Sequence, residues 1–478
     1  MGHEEPSVAL ERRDVWGLTR ESEWHPLIEW YARGIAALQA IRISDPRSWL
    51  NLANIHGTFT PRSDWPPDVG DRDWNACQHR SWFFLPWHRM YLHHFEKIVR
   101  AAIVAEGGPS DWTLPFWNYD PTDPETLSLP LACRVGTMPD GSPNPLLVER
   151  RAPGINSGTP LPATDVETTG WPDVFSADST VIPTFGGPKT GWTHNGPAFG
   201  SLEIEPHGLV HVDVGGRDGN PSTGGFMSFF ELAGRDPVFW MHHANVDRLW
   251  EVWRNQPGHS NPTDDDWLEA AYSFGSGTWQ TTLTVAGILD MTAPPLLYRY
   301  QDVPVPAAEE EIAREEVRMS AERPPELVGA SEVPVPLSDS GATVRITVGG
   351  PAARAMIAEG VTAAPGRRVF LTLENVTATD LGAGSYTVYV NAPEGDVAAA
   401  EDRQVGRMST FGLMEASRAD DVHSGSGATY SFEITDLVRR LEEAGEWDPE
   451  SLRVSVVPTD PEARGGGVRI GRIGIYYG

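Results

Sequence analysis

Residues Cys77 to Glu96 have the sequence CQHRSWFFLPWHRMYLHHFE, and this stretch decides how the first part of the chain is interpreted. Apolar residues recur at helical spacing from Trp87 to Val104, and Pro86 stands just before them, where proline favours the start of a helix. His79 lies upstream of the proline in a loop, whereas His88 lies inside the helix. The pattern therefore predicts that a loop imidazole and a helix imidazole converge.

A further imidazole comes from the segment before this stretch. Residues 24–41 carry apolar side chains at helical spacing, and a second helix is predicted from about Arg47 to His56, ending at Gly57. His56 closes that helix and can supply a third ligand to the same point.

A second histidine cluster begins at Glu203, where the sequence is EIEPHGLVH. His207 and His211 are four residues apart and share one face of a predicted short helix. A longer helix is predicted from Pro237 to Trp253, and it carries the adjacent pair His242 and His243. His243 can reach the same point from this facing helix, but the spacing alone leaves the choice between the two histidines open.

Two groups of imidazoles indicate a metal pair. Neutral imidazole suits copper, zinc, iron or nickel, whereas magnesium and calcium prefer oxygen ligands. Neither cluster contains a carboxylate-bridged arrangement, which counts against hydrolytic zinc and di-iron sites. Two copper ions at the usual separation of a metal pair, about 3.5–4 Å, can exchange two electrons with dioxygen. The histidines thus favour a two-electron oxidation.

The hydrophobic pattern changes near residue 303. A charged, proline-containing stretch is followed by segments of period two, typical of strands in a β-sandwich. We therefore predict an α+β multidomain protein, with a mainly helical metal-binding core around a four-helix bundle followed by a C-terminal antiparallel β-sandwich. The predicted domains are residues 1–302 and 326–478, joined by a linker over 303–325.

Composition restricts the partners and the location. The 478 residues carry a formal net charge of −29, which argues against nucleic acid because phosphates would be repelled. No run of about 18 apolar residues occurs, so no membrane span is expected. The acidic, polar N-terminus lacks the apolar core of a signal peptide, and we expect a cytoplasmic protein. Two cysteines cannot form a disulfide framework.

The two clusters resemble the copper signatures of the tyrosinase and polyphenol oxidase family. His79 to Glu96 has the form H-x4-F-L-P-W-H-R-M-Y-L-x3-E, and Asp236 to Asp247 has the form D-P-V-F-W-x2-H-x3-D. The C-terminal β-region is similar to that of plant-type members. The resemblance implies two copper ions, one held by His56, His79 and His88, and the other by His207, His211 and His243.

Four more positions take their expected roles from this resemblance. Cys77 precedes His79 by two, as in fungal and molluscan members, where the cysteine sulfur forms a thioether with the histidine ring; we predict the same bond here. Phe230 matches an aromatic gate above one copper, and Glu203 matches a carboxylate that orders a water, with Glu205 as a substitute. Gly208 stands where members that hydroxylate monophenols often have asparagine.

The resemblance implies oxidation of o-diphenols, small phenolic substrates, to o-quinones with dioxygen as co-substrate, and Gly208 favours this over phenol hydroxylation. A tyrosinase that also hydroxylates monophenols is the alternative enzyme. A hemocyanin-like oxygen carrier is the alternative of another class, and a zinc protein is a further one. The C-terminal domain is expected to cover the site and keep the enzyme latent until it is removed at the exposed linker, or else only to stabilise the protein. The oligomeric state is left open.

Overall fold

The computed structural model describes residues 8–70, 73–192, 196–304, 324–350, 353–354, 368–393, 397–419, 425–460, 462–463 and 467–478. The predicted linker therefore lies mostly outside the described residues, and the boundaries at 303 and 325 remain predictions. The helices of the first part are α1 (Val15–Glu21), α2 (Pro26–Gln39), α3 (Trp49–His56), α4 (Phe84–Ala105), α5 (Leu209–Gly215), α6 (Phe230–Ala233), α7 (Pro237–Arg254) and α8 (Asp265–Leu268).

Local sequence explains where these helices begin and end. Ser48 caps α3, because its side chain accepts a hydrogen bond from the Asn51 amide at 3.0 Å. Asp236 caps α7 in the same way through the Val238 amide at 2.9 Å. Gly57 follows the last residue of α3. The helices predicted over 24–41, 47–56, 87–104 and 237–253 are thus present with ends shifted by a few residues, as helix boundaries usually are.

The segment before α5 differs from the regular helix predicted at His207. Residues Glu203–Gly208 form a π-helical turn that runs directly into α5, and Glu205 inside it has an extended backbone conformation, with φ −141° and ψ 121°. Pro206 lacks the amide hydrogen that a regular α-helix needs at this point. The turn nevertheless brings His207 and His211 to the same side of the core.

Buried ion pairs join the two longest helices. Arg89 of α4 binds Asp247 of α7 at 2.6 Å and Glu251 one turn later at 2.7 Å. All three side chains are almost fully buried, so each charge depends on its partner. The α4–α7 pair is therefore held in one register around the histidines, in a core rich in tryptophan and phenylalanine.

Strands dominate the second part of the chain, and the first four of the strands given next are short ones in the first part. The strands are β1 (Leu10–Arg12), β2 (Ala271–Phe274), β3 (Thr281–Thr284), β4 (Tyr298–Tyr300), β5 (Glu326–Ala330), β6 (Val335–Pro336), β7 (Ala342–Ile346), β8 (Val369–Ala378), β9 (Ser385–Val390), β10 (Gln404–Ser409), β11 (Ala428–Glu433), β12 (Leu452–Pro458), β13 (Val468–Ile470) and β14 (Arg472–Tyr477). One antiparallel sheet has the order β10-β9-β12-β7, and the other has the order β5-β14-β8-β13-β6, with β11 also paired to β8.

These two sheets share an apolar core, and two short helices, α9 (Leu413–Ala416) and α10 (Thr435–Glu443), belong to the same domain. Residues 468–476 alternate as one strand would, but Gly471 divides them into β13 and β14, and its amide bonds to the carbonyl oxygens of Glu374 and Asn375. Asn375 has a left-handed φ of 51°, which breaks the regular ladder of β8. The fold class predicted from the sequence, a helical core followed by an antiparallel β-domain, is confirmed. Among the described helices, none is long and apolar enough to cross a membrane.

Candidate metal centre

Three buried imidazoles meet where α3, the loop before α4 and α4 itself come together. The ring centroids of His56 and His79 lie 5.2 Å apart, those of His79 and His88 5.2 Å apart, and those of His56 and His88 5.7 Å apart. Nδ1 of His56 bonds to the carbonyl oxygen of Phe230 at 2.8 Å, and Nδ1 of His88 to that of Phe84 at 2.8 Å. A carbonyl can only accept, so both Nδ1 atoms carry the proton and both Nε2 atoms present a lone pair.

A second set of buried imidazoles faces the first. The ring centroid of His207 lies 4.7 Å from that of His211 and 5.0 Å from that of His243. Nδ1 of His207 donates to the carbonyl oxygen of Glu203 at 3.0 Å, and Nδ1 of His211 donates to that of Met227 at 2.7 Å. Nε2 of His211 lies 3.3 Å from Nε2 of His243. Because His211 holds its proton on Nδ1, its Nε2 carries a lone pair, and this lone pair faces the His243 ring.

The two sets are in contact with one another. The rings of His88 and His243 stack with centroids 4.5 Å apart and an interplanar angle of 10°, and His79 lies 6.0 Å from His207. Candidate ligand atoms within 4.8 Å of one another include His56, His88 and His243 as one group. The six predicted histidines are thus brought to one place, from helices and a loop that are far apart in the sequence.

Burial keeps five of these imidazoles neutral. Removal from water lowers the pKa of His56 to about 4 and holds those of His88, His207, His211 and His243 well below the ordinary value, with the neighbouring histidines adding to the effect for the last four. Neutral imidazole is the form that binds a metal.

The donor atoms fit a soft or borderline metal ion. Nε2 of His56, of His88 and of His207 are buried without a hydrogen-bond partner among the described residues. An unpaired buried nitrogen costs about 1–3 kcal/mol, and a bound cation removes that cost at several positions at once. The donors are imidazoles, as copper prefers, and the described carboxylates do not bridge the two sets.

His242 lies closer to this centre than its position on α7 suggested. Its ligand atom falls within 4.8 Å of those of His207, His211 and His243, and its ring stacks on His207 with centroids 5.6 Å apart. Its Nδ1 is 3.2 Å from the hydroxyl of Tyr119. Neighbouring residues of an α-helix point about 100° apart, yet the rings of His242 and His243 both contact His207, which lies in the π-helical turn.

Cys77 lies beside the first set of rings. Its sulfur is within 4.8 Å of ligand atoms of His56 and His79, and the side chain is fully buried. Burial raises the pKa of this thiol well above its usual range. Cys133, the other cysteine, is also buried, and both are free. The placement is suitable for the predicted thioether to His79, which remains a prediction.

The two glutamates before His207 have different surroundings. Both carboxylate oxygens of Glu203 accept the backbone amide of Arg80, at 3.0 and 2.8 Å, which ties this buried acid to the loop residue after His79. Burial raises the pKa of Glu203 to about 8. Glu205 instead points to Arg407 of the β-domain, 3.4 Å away. Of the two candidates, only Glu203 is bonded to the loop of the histidine centre.

Phe230 covers the first set of rings, and its role as an aromatic gate remains a prediction. Its ring stacks on His79 with centroids 4.0 Å apart and an interplanar angle of 29°. Gly208 faces the β-domain: a Cβ atom there would lie 2.9 Å from the hydroxyl oxygen of Ser409. A larger residue at 208 would therefore displace this strand end.

The end of β10 covers the second set of rings. The Phe411 ring stacks on His211 with centroids 3.9 Å apart at 11°, and it lies 4.7 Å from the ring of Phe230. Thr410 holds the segment in place, because its hydroxyl donates to the carbonyl oxygens of Leu381 and Gly384. Gly412 has φ +72°, and a Cβ there would meet the Phe230 ring at 2.5 Å. The β-domain thus places an aromatic side chain directly on a predicted ligand.

Acidic residues of the second signature have structural roles that the sequence analysis did not assign. Asp236 caps α7 and also binds Arg151 through two contacts of 2.8 Å. Asp247 accepts Arg89, the neighbour of His88. The sequence did contain a signal for the Arg89–Asp247 pair. Arg89 directly follows the ligand candidate His88, and Asp247 lies one helical turn after the ligand candidate His243, so both charges belong near the same centre.

Comparison with known proteins agrees with this geometry. A family model described as the common central domain of tyrosinase matches residues 46–146 and 156–256, and a second model, described only as a domain of unknown function, matches residues 324–478. Tyrosinase HcTyr1 of Hahella sp. (strain CCB-MM4) is 31% identical over 474 residues, which cover 94% of this chain and 96% of that protein.

A chloroplastic polyphenol oxidase of Vitis vinifera is 32% identical over 294 residues, covering 58% of this chain and 45% of the plant protein. Among solved structures, latent apple tyrosinase is similar over the whole chain, with a TM-score of 0.61, 22% identity, and coverage of 100% of this chain and 99% of the apple chain. At that identity the likeness concerns the fold, both the helical part and the β-domain.

Proposed function

The chain belongs to the tyrosinase family of copper phenol oxidases, and within that activity we propose that it oxidises o-diphenols to o-quinones on two copper ions, with dioxygen as the co-substrate. Two catechols lose two electrons and two protons each, and one dioxygen takes up the four electrons and four protons to become two waters. The observation that carries this proposal is that four of the six imidazoles, those of His56, His88, His207 and His211, donate Nδ1–H to a main-chain carbonyl and so keep the Nε2 lone pair free for a metal.

The ligand assignment follows the two sets of rings. His56, His79 and His88 would hold one copper, and His207, His211 and His243 the other. Copper supplies the redox chemistry when bound, since imidazole-bound copper can pass electrons between the diphenol and dioxygen. The chain supplies neutral ligands, their orientation and a dry cavity.

Three other residues matter around this pair in the proposal. Phe230 stacks on His79 and would guide the flat substrate ring. Glu203, with a pKa raised to about 8, is suited to hold or accept a proton near neutral pH. Gly208 has no side chain that could help to deprotonate a monophenol, which supports diphenol oxidation.

Tyrosinase activity is the second candidate, because the full-length relative from Hahella carries that name. A lag phase on a monophenol, followed by quinone formation, would support hydroxylation before oxidation. Reversible oxygen binding without catechol turnover, even after the β-domain has been removed, would instead support an oxygen carrier.

We also propose that the full-length protein is latent. Phe411 occupies the space over His211 and beside Phe230, where a substrate ring would have to lie. Release of the β-domain by cleavage within 305–323 would uncover the site.

One experiment tests both proposals. Copper-loaded full-length protein is assayed with catechol and dioxygen before and after limited proteolysis, and its copper content is measured by elemental analysis. We expect two coppers per chain, slow turnover before cleavage and faster turnover after it. Absence of copper from active protein would refute the copper assignment, and equal rates before and after cleavage would refute latency alone.

A further inference from the structure

A separate cleft of about 920 Å³ opens on the helical domain between α2, α3 and the loop that carries Arg150. Its lining includes Trp30, Trp49 and Phe226, and none of the six histidines of the metal centre belongs to it. The volume lies in the range of small-molecule sites, about 300–1,000 Å³. The cleft is therefore large enough for a ligand of its own.

Arg235 brings an unpaired charge to this cleft. Its Nε is buried without a hydrogen-bond partner, and its guanidinium forms no ion pair among the described residues. Burial, followed by the nearby positive charge of Arg150, lowers the pKa of Arg235. A half-buried guanidinium without an acceptor is unfavourable, because burial of a charge has to be offset by a partner.

Arg150 adds a second positive charge without a carboxylate. Its guanidinium donates to the carbonyl oxygens of Pro221 and Gly224 and stacks over Phe226, 4.4 Å from the ring centroid. Asp218 acts on it only through space, since no ion pair joins the two. These carbonyl groups accept from Nε and one terminal nitrogen of Arg150 and leave its charge uncompensated.

Several other arginines of the same domain do have carboxylate partners. Arg33, which also lines the cleft, binds Glu29 and Asp140 at 2.8 Å each. Buried Arg12, Arg89 and Arg151 likewise bind carboxylates. The chain has a net charge of −29, so acidic partners for an arginine are plentiful. Because Arg150 and Arg235 nevertheless lack a carboxylate partner in the same concave site, we expect a bound anion to supply the negative charge.

The lining describes the shape of that anion. Trp30, Phe226 and the exposed side chain of Leu50 provide flat apolar surface beside the two guanidinium groups. Glu106 and Glu149 also line the cleft but are exposed and bond to neither arginine, so a ligand with several negative charges would be disfavoured. A single carboxylate on an aromatic body meets both requirements.

We propose that this cleft binds an aromatic monocarboxylate, whose carboxylate lies between Arg150 and Arg235 and whose ring lies on the apolar lining. The inference does not depend on the proposed function, because the cleft shares no residue with the metal centre.

The test uses copper-loaded full-length protein and trans-cinnamate, which has no phenolic hydroxyl to be oxidised, in isothermal titration calorimetry. We expect cinnamate to bind, and both Arg150→Gln and Arg235→Gln to weaken it by about tenfold or more, the usual worth of a charge-assisted hydrogen bond. Arg33→Gln is the matched control, since this guanidinium already has two carboxylate partners, and it should change the affinity less than about twofold.

Cinnamyl alcohol, which lacks the charge, and acetate, which lacks the ring, should both bind more weakly than cinnamate. Arg235→Lys retains the positive charge and should keep part of the affinity for cinnamate. A graded loss from arginine to lysine to glutamine would show that the charge, and not a folding defect of the glutamine variant, determines binding. Failure of millimolar cinnamate to bind, or equal binding by wild type and both glutamine variants, would overturn the proposal. Equal binding by all three proteins would place cinnamate elsewhere, for example at the copper pair. Because the cleft shares no residue with the metal centre, neither glutamine variant should change catechol turnover.

Discussion

Each imidazole of the metal centre has two nitrogens, and in four of the six rings the main chain decides which one is available. Carbonyl oxygens of Phe230, Phe84, Glu203 and Met227 hold four Nδ1 protons at 2.7–3.0 Å. The Nε2 atoms are thereby turned to the centre before any metal is bound, which lowers the entropy lost on binding. The contact behind the proposed latency belongs to the same scale, since the Phe411 ring of the β-domain stacks on His211.

Replacement of Phe411 by alanine should activate the full-length protein. Loss of the ring stacked on His211 opens space for a substrate, and we expect catechol turnover to rise by about tenfold or more because gating rather than chemistry limits it. Leu413→Ala is the control: it removes a similar apolar volume from the core of the β-domain without touching the rings. Activation by Leu413→Ala to the same level would show that loosening of the domain, not the ring itself, is responsible.

The thioether predicted between Cys77 and His79 should be detectable by mass. Its formation removes one hydrogen from sulfur and one from the ring, with dioxygen as the oxidant, so the tryptic peptide of residues 73–80 should be two hydrogens lighter in copper-matured protein. Cys133 serves as the internal control, because it should react with an alkylating reagent after unfolding while Cys77 should not. Complete alkylation of Cys77 in active protein would contradict the prediction.

At the scale of elements, close backbone contact connects α3 to α6. Gly57 follows His56, and a Cβ atom at this position would lie 2.7 Å from the carbonyl oxygen of Phe230 and 2.8 Å from Cα of Glu231. That carbonyl is the acceptor of the His56 Nδ1 proton. Only a residue without a side chain allows the two elements to approach in this way, although the φ of Gly57 is ordinary extended backbone.

Gly57→Ala should therefore damage the first copper site more than the fold. We expect an overpacking cost of about 1–3 kcal/mol in the free energy of unfolding, and a copper content below that of the wild type because the His56 ring loses its acceptor. The measurements are urea denaturation and elemental analysis. Gly136→Ala, where an added Cβ meets no atom within 4 Å, is the control. Full copper content in Gly57→Ala would show that the contact does not position His56.

At the scale of the whole molecule, the two domains meet through charged groups as well as through Phe411. Arg407 of β10 binds Asp165 at 3.1 Å, and Arg418 binds Glu231 at 2.9 Å. Glu415 is buried close to the carboxyl group of Glu231. Burial first, and then the charge of Glu231, raise the pKa of Glu415 well above its usual range.

This acid pair predicts a pH dependence of stability. Glu415 stays protonated in the assembled protein but ionises freely in the unfolded chain, so its contribution is fully present below the unfolded pKa and is lost as the pH rises toward the folded value. We expect the free energy of unfolding to fall from pH 5 to pH 8 more in the wild type than in Glu415→Gln, by about 1.4 kcal/mol for each pH unit over which Glu415 is ionised in the unfolded chain but protonated in the folded protein. The measurement is urea denaturation at both pH values.

Glu443→Gln removes an exposed carboxylate of α10 in the same domain and is the matched control. It should follow the wild-type pH profile. Identical profiles for the wild type and Glu415→Gln would mean that the acid pair does not govern the stability of the interface.

Periodicity and spacing were sufficient for much of this description. The helical repeat from Trp87 to Val104 predicted α4, and alternation predicted β7, β8, β9, β12 and the segment that forms β13 and β14. The two motifs, together with the histidines that precede them, identified the family and the six candidate ligands. These features are local: a helix face or a strand face is set by residues within a few turns. The sequence therefore determined the class of fold and which side chains were candidate ligands.

Tertiary structure alone decided how those side chains are used. No spacing within the chain shows that the Phe230 carbonyl would orient His56, that Arg89 would pair with Asp247, or that Phe411, 200 residues after His211, would lie on its ring. Such contacts depend on how separate elements pack, and packing is governed by shape and burial over the whole molecule rather than by local pattern. The tautomers of the histidines, the cover over the centre and the unpaired arginines of the cleft all follow from that packing.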